Sequence, residues 1–176
     1  MSKHAMSPPS ILWQIKRFSE LTATELYTLL ALRMQVFIVE QVCPYQDIDG
    51  LDVLPETRHV CGYQDSELVA YLRVMAPTAN HAATAIAHHM GISQHAVIGR
   101  VLIASTARGT GLSHTLIEQA INICETCWPD SAQFLSAQAH LTDLYQQHGF
   151  HVQGEVYLED NIPHIDMIRP QGQTTH

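Results

Sequence analysis

The stretch from Val97 to Ile117 constrains this chain more than any other. An apolar run, Val97-Ile98-Gly99-Arg100-Val101-Leu102-Ile103-Ala104, passes through Ser105-Thr106-Ala107-Arg108-Gly109-Thr110-Gly111 into Leu112-Ser113-His114-Thr115-Leu116-Ile117. The run is short and β-rich, which predicts a buried strand. Gly109 and Gly111 open backbone conformations closed to other residues. A helix beginning near Gly111 directs its free N–H groups and positive dipole end into that loop, so the stretch reads as an anion cradle. No Gly-Lys-Ser/Thr follows, so a nucleoside-triphosphate loop would lack its lysine and its magnesium-binding hydroxyl. Two glycines this late in the chain do not make a dinucleotide fingerprint either.

The flanking sequence predicts a mixed succession of strands and helices. Ile11 to Phe18 alternates apolar and polar residues as a first strand does. Thr22-Ala23-Thr24-Glu25 is a capping box with Leu21 and Leu26 as its staple, and Leu29, Leu30, Val36 and Phe37 continue the helical spacing to Phe37. The segment Glu40 to Asp52 mixes acids, Tyr45, Pro44 and Gly50, and reads either as a binding loop or as a solvated connector. His59–Tyr63 and Leu68–Met75 are strands joined across Gln64-Asp65-Ser66-Glu67. Residues 76–95 read as a long loop with a short helical turn. After the cradle, Leu112, Leu116, Ile117, Ala120, Ile121 and Cys124 share one helix face, and Trp128-Pro129 ends the helix. Phe134–Ala139 is a strand, Leu141–His148 a short helix with Gly149 as its left-handed cap, and Phe150–Leu158 and Ile162–Ile168 a final pair of strands.

Composition sets the limits. The 176 residues suffice for one domain, residues 11–176, behind a loose polar tail at residues 1–10. A formal charge of −8, from 9 Lys plus Arg against 17 Asp plus Glu, speaks against a nucleic-acid partner and suits a cationic acceptor. Four cysteines follow no secreted framework, and the N-terminus carries no apolar signal core. No apolar run is long enough to span a membrane, so the expectation is a cytoplasmic protein with no membrane partner. Cys124-Glu125-Thr126-Cys127 has no second pair and reads as helix packing. The 12 histidines fit no zinc-ligand pattern, so no metal is expected.

Arg108-Gly109-Thr110-Gly111-Leu112-Ser113 resembles the Gln/Arg-x-x-Gly-x-Gly/Ala motif of the GNAT acetyltransferase superfamily, with Ser113 where Gly or Ala is usual. Leu144-Tyr145-Gln146-Gln147-His148-Gly149-Phe150 is similar to that family's Leu-Tyr-x-x-x-Gly-Phe. The asparagine that often precedes this helix is absent, with Gln138 near its place. Further likeness, to the ElaA-like branch, is carried by Arg33, Phe37-Ile38-Val39-Glu40-Gln41, Cys43-Pro44-Tyr45-Gln46-Asp47-Ile48-Asp49-Gly50, Ile98-Gly99-Arg100-Val101, Ala137-Gln138-Ala139-His140-Leu141 and Ile162-Pro163-His164-Ile165. The resemblance implies an α/β (α+β) GNAT acyltransferase fold, a mixed central sheet of about six to seven strands flanked by helices. It also implies acetyl transfer from acetyl-CoA to a small-molecule or peptide amine by direct attack in a ternary complex. A non-catalytic acyl-CoA sensor or interaction module on the same fold is the alternative. Exposed strands at the C-terminal end would support a homodimer.

On this reading the N–H groups of Arg108, Gly109, Thr110, Gly111, Leu112 and Ser113 hold the pyrophosphate, and the strand edge at Val101, Leu102 and Ile103 pairs with the pantetheine arm. A backbone N–H there could also polarise the thioester carbonyl, a contact often worth about 3 kcal/mol. Tyr145 is the expected general acid, since a phenol keeps its proton at neutral pH; spacing alone favours a core tyrosine, and the Gly-Phe context reverses that preference. A lysine-like amine arrives protonated and needs a base. Glu40 is the first candidate, with Asp47, Asp49, His59, His140 and His164 as alternates. Tyr45 belongs to the same candidate acceptor loop. Arg33 and Arg100 sit in apolar contexts, either facing substrate or ion-paired with Asp47 or Asp49.

Overall fold

A computed structural model describes residues 10–77 and 94–172 of the chain. The expected tail at 1–10 lies outside the described residues except for Ser10, as does most of the expected loop at 76–95. Among the described residues, seven strands and three α-helices succeed one another in the expected order: β1 (Leu12–Lys16), α1 (Ala23–Arg33), β2 (Arg58–Gln64), β3 (Glu67–Met75), β4 (Ala96–Ile103), α2 (Leu112–Cys127), β5 (Gln133–Gln138), α3 (Thr142–Gln146), β6 (His151–Glu159) and β7 (Ile162–Arg169). They form one mixed sheet of order β1-β2-β3-β4-β5-β7-β6, in which only the β4–β5 pair is parallel. No helix among the described residues is long and apolar enough to cross a membrane.

The capping box at Thr22 forms in full: the Glu25 N–H donates to the Thr22 hydroxyl at 3.2 Å, and the Thr22 N–H donates to the Glu25 carboxylate at 2.8 Å. These bonds satisfy two of the donors that open a helix. The helix then departs from the expected regular course to Phe37. It is α-helical to Arg33 and continues as a π-helix over Met34–Glu40, closed by Gln41 N–H to Val36 C=O at 3.3 Å. The wider turn buries Val36 and Phe37 while Met34, Gln35 and Val39 face outward. The short helix expected over Leu141–His148 is likewise split. A 3₁₀ turn at Ala139–Leu141 precedes α3, and Gly149, at φ 81°, ends the segment as a left-handed cap.

Side-chain alternation along the strands divides the core in two. Leu72, Val74, Ile98, Leu135 and Met167 point to the face covered by α2, where Leu116, Ile117 and Ala120 meet them. Tyr71 and Leu102 point to the other face and pack against Leu29, Val36 and Phe37 of α1 and its π-helical extension. Among the described residues, this second cover packs on β2, β3 and β4.

Gly62 serves close approach. It pairs with Trp13 of β1 on one side and Ala70 of β3 on the other, and a Cβ there would lie 2.7 Å from Trp13 Cζ3 and 3.1 Å from Ala70 Cβ. Gly62→Ala should therefore destabilise by about 1–3 kcal/mol through overpacking. A lowered urea midpoint with an unchanged m-value would confirm it; an unchanged midpoint would show that the indole moves aside freely.

Candidate active site

The parallel pairing of β4 with β5 lasts two residues, Ala96↔Gln133 and Val97↔Phe134, although β4 runs on to Ile103 and β5 to Gln138. One contributor to this divergence is a bulge. Arg73 pairs with Gly99 and Tyr71 with Leu102, so β4 holds Arg100 and Val101 against the single residue Leu72 of β3. Arg100 takes a left-handed conformation, φ 56°, to accommodate the extra residue, and the strand bends there. Alternate N–H and C=O groups of β4 beyond Val97 consequently face a gap rather than a partner strand. A cleft of about 540 Å³ occupies the gap. Its floor is the sheet face that α1 leaves uncovered, where Ser136, Gln138, Tyr157 and His164 share one side through the pairings Gln138↔His164 and Tyr157↔His164.

The roof is the irregular segment 41–57, fastened by three arginines and three aspartates. Arg33 donates from Nε to Asp47 Oδ2 and from Nη1 to Asp52 Oδ1, each at 2.8 Å. Arg73 forks onto both Asp49 oxygens at 2.8 and 2.7 Å and reaches Asp52 Oδ1 at 2.9 Å. Arg100 donates to Asp47 Oδ1 at 2.7 Å and to Asp49 Oδ2 at 3.2 Å, and its guanidinium lies 5.5 Å from the Tyr45 ring centroid. Burial acts to raise the Asp49 pKa, but the hydrogen bonds and charge of Arg73 outweigh it and hold the carboxyl at about 2. Asp52 is shifted the same way: burial opposes, and the charges of Arg73 and Arg33 prevail. At its far side the roof meets the opposite wall through Cys43 Sγ to the Asp160 carbonyl at 3.6 Å and Gln138 Nε2 to Gln41 Oε1 at 3.2 Å. Val42 between them is left-handed at φ 52°, an uncommon strain for a β-branched residue, and turns the chain toward that wall.

The glycine loop has the features an anionic group needs. Gly109 and Gly111 sit at φ 75° and 81°, and a Cβ at either position would meet nothing within 4 Å, so positive φ rather than crowding calls for glycine. Gly111 is the N-cap of α2 and no side chain caps the helix, which leaves its first N–H groups directed into the loop. Thr110 turns its hydroxyl back to the Ala107 carbonyl at 2.7 Å, leaving its backbone as the contribution to the loop. Arg108 donates from Nε to the Ile103 carbonyl at 3.0 Å and from Nη2 to Glu40 at 2.6 Å, tying β4, the loop and the π-helix together. These residues suit a pyrophosphate, with the unpaired edge of β4 beside them for an extended amide-bearing arm.

Three tyrosines line the cleft, and their hydroxyls differ. Tyr45 donates to Asp47 Oδ1 at 2.9 Å; Tyr157 donates to Asp166 Oδ1 at 2.8 Å and is also bonded to the Ser136 hydroxyl. Tyr145, buried on α3 with its ring edge-on to Phe150, has no hydrogen-bond partner for its hydroxyl among the described residues. Burial pushes its pKa up to about 12.

The candidate residues separate accordingly. Tyr45, Asp49, Arg100, Val101, Tyr145 and His164 come together in the cleft. Arg33 and Asp47 are buried in the ion-pair network beneath the roof. His59 is fully buried between the Tyr71 hydroxyl, 2.9 Å, and the Asp52 carbonyl, 3.0 Å. Glu40 is held by Arg108, and His140 is exposed; neither lines the cleft. Sequence reasoning did not single out Ser136, Tyr157, Glu159 or Asp166. Their only signal is polar alternation on strands β5, β6 and β7, which looks the same on any solvent-facing strand. Removing one partner of the network should be costly: Arg33→Ala leaves the buried cluster with two arginines against three aspartates, one net negative charge uncompensated, and should lower stability by about 3–5 kcal/mol by chemical denaturation. The pH response follows from the depressed aspartates. Their contribution is complete above an ordinary Asp pKa of about 4 and is lost as pH falls through the depressed values, about 2 for Asp49, so the thermal midpoint should drop as pH goes from about 4 toward about 2; a flat midpoint there would contradict it.

Comparison with known proteins agrees with this arrangement. A family model for the acetyltransferase (GNAT) domain matches residues 55–169. The ElaA protein of Escherichia coli strain K12 is 43% identical over 157 residues, covering 89% of this chain and 95% of that protein. The crystal structure of Escherichia coli ElaA superposes with a TM-score of 0.80 at 42% identity, covering 91% of this chain and 99% of that one. That of an acyl-CoA N-acyltransferase from Pseudomonas aeruginosa gives 0.79 at 48% identity, over 91% and 99%. With its splayed strands, uncapped glycine loop and tyrosine helix, the chain belongs to the GNAT superfamily of acyl-CoA-dependent acyltransferases, in its ElaA-like branch.

Proposed function

We propose that the protein transfers an acetyl group from acetyl-CoA to the amine of a small molecule or peptide, by direct attack within a ternary complex, with Tyr145 as the acid that protonates the departing thiolate. The observation that carries this reading is the free hydroxyl of Tyr145. Of the three cleft tyrosines it alone retains a proton committed to no carboxylate. The Pseudomonas aeruginosa structure, described as an acyl-CoA N-acyltransferase, supports the amine as acceptor.

In this scheme the loop Arg108–Ser113 holds the coenzyme's pyrophosphate, and the free edge of β4 from Val101 to Ile103 receives the pantetheine arm and offers an N–H to the carbonyl oxygen as it gains charge. The amine nitrogen bonds to the carbonyl carbon, and the C–S bond breaks as the intermediate collapses. A phenol held near 12 does not persist as phenolate at neutral pH. The proton it gives to sulfur is therefore replaced from the nitrogen, which sheds one as the amide forms, and Tyr145 ends the cycle as it began. A covalent acetyl-cysteine route is disfavoured. Cys43, which lines the cleft, directs its thiol to the Asp160 carbonyl, and burial raises its pKa, so little nucleophilic thiolate is present.

Tyr145→Phe should lower kcat by about 10²–10⁴-fold, the usual contribution of a positioned acid, while acetyl-CoA affinity by calorimetry stays the same. A variant with undiminished thiol release would remove Tyr145 from the mechanism. Failure of the wild type to release thiol with any amine in a broad panel, despite binding the coenzyme, would favour a sensor.

A further inference from the structure

Acyl transfer to an ammonium needs a second proton-handling group. Tyr145 deals with the proton that passes from nitrogen to sulfur; the earlier one, which makes the amine a nucleophile at all, has to go elsewhere. The cleft narrows the choice. Both oxygens of Asp49 accept from arginines, Asp166 receives the Tyr157 hydroxyl, and Glu40, His59 and His140 lie outside. His95 also lines the cleft, but it precedes β4 beside the Ala96↔Gln133 pairing, at the opposite end of β5 from Gln138 and the tyrosine helix.

His164 is different. On β7 it lines the cleft with its ring 6.3 Å from that of Tyr157, and its Nδ1 stands 2.8 Å from the Ile162 carbonyl. A carbonyl oxygen can only accept, so Nδ1 carries the hydrogen and Nε2 carries the lone pair. Nε2 has no hydrogen-bond partner among the described residues. The tautomer of a base is thus fixed by the backbone of the same strand. Glu159, at the end of β6, also lines the cleft, and its carboxylate forms no ion pair among the described residues.

We propose that His164 Nε2 is the general base of the reaction, taking the first proton from a cationic primary amine drawn to the β6–β7 end of the cleft by Glu159. This rests on the acyl-transfer reading above. The proton balance is complete: the ammonium gives one proton to Nε2, the neutral amine attacks, and the second proton moves through Tyr145 to sulfur. Imidazolium then returns its proton to water. The net reaction turns an ammonium and a thioester into an amide, a thiol and one released proton. Imidazole suits the task better than the cleft carboxylates, since its ordinary pKa lies nearest neutrality and a carboxylate is a much weaker base toward an amine of pKa about 10. The titratable groups around His164 are Tyr157 and Glu159 from β6, Asp160 from the turn, Asp166 from its own strand, Tyr145 from α3 and Cys43 from the roof. The roof's Asp49 is paired with Arg73 of β3 and Arg100 of β4. From β5 come only Ser136 and Gln138, which do not titrate.

The test compares the wild type with His164→Asn, whose amide N–H can keep the bond to Ile162, by thiol release from acetyl-CoA with spermidine, lysine amide and the arylamine p-anisidine, across pH. For the protonated aliphatic amines the variant should lose about 10²–10⁴-fold in kcat/KM and the acid limb of the wild-type profile. For the arylamine, neutral at neutral pH, the loss should be under tenfold. A variant that keeps the acid limb, or loses all acceptors equally, overturns the base while leaving acyl transfer standing. No thiol release by the wild type from any of the three overturns the acyl-transfer reading and the base with it.

Discussion

Two strands that pair for two residues and then part company set the terms for the rest of the molecule. A sheet normally satisfies its backbone by continuing the ladder, and a bare N–H or C=O away from water costs as much as a lost hydrogen bond. Here β4 leaves β5 after Val97 and Phe134, and the bulge at Arg100 adds to the divergence. The unpaired edge is tolerable because the gap is open, and it is useful because an extended amide-bearing substrate can complete the ladder that β5 abandons. The same divergence exposes the floor of β5 and β7 from the side, so backbone recognition and side-chain chemistry meet in one space. Crevices at the carboxyl ends of parallel strands bind ligands for a related topological reason. This sheet makes one from a single parallel pair.

What closes the space above is held by charge rather than by apolar packing. The segment 41–57 has no regular secondary structure, and its three aspartates bond to Arg33, Arg73 and Arg100, one each from α1, β3 and β4. Three positive and three negative charges cancel, which lets the cluster be buried. Such networks contribute little net stability relative to apolar packing, yet they are costly to break and admit few alternative geometries. A roof fixed by bidentate arginines therefore keeps its position over the cleft more narrowly than a greasy loop of the same length could. His59 extends the arrangement, joining the Asp52 carbonyl to the Tyr71 hydroxyl beneath the π-helical turn.

Much of this was legible along the chain, and the limits of legibility have a physical form. The capping box at Thr22, the hairpin across Asp65-Ser66, the helix from Leu112 and the left-handed Gly149 are local features, and each forms where its residues predict. The π-helical stretch is not local in the same way. Its residues suit an α-helix, and Val36 and Phe37 are buried against Tyr71 and Leu102, which are distant in sequence. The acids of the loop illustrate a second limit. Spacing marks Asp47 and Asp49 as unusual but does not separate a substrate contact from an ion pair, since both ask for the same charge. A third concerns neighbours. Alternation places Tyr157 and His164 on defined faces of their strands, but only the insertion of β7 between β5 and β6 makes that face the floor of the cleft.

That insertion bears on the chemistry itself. Amide formation from an ammonium must dispose of two protons with different destinations, one to solvent and one to sulfur, and a single group would have to change its affinity for protons midway to serve both. On the proposed mechanism the fold separates them. Tyr145 arrives on α3, buried and held at about 12, suited to pass a proton on without retaining charge. His164 arrives on β7 with Nδ1 committed to its own backbone and Nε2 left to accept. If β6 and β7 followed β5 in simple sequence, β6 would lie beside β5 and His164 one strand farther from the gap. With β7 pairing directly to β5, His164 stands across from Gln138, at the end of the strand that leads into Tyr145's helix. Strand order, rather than any one residue, brings the imidazole to the same cleft as the phenol.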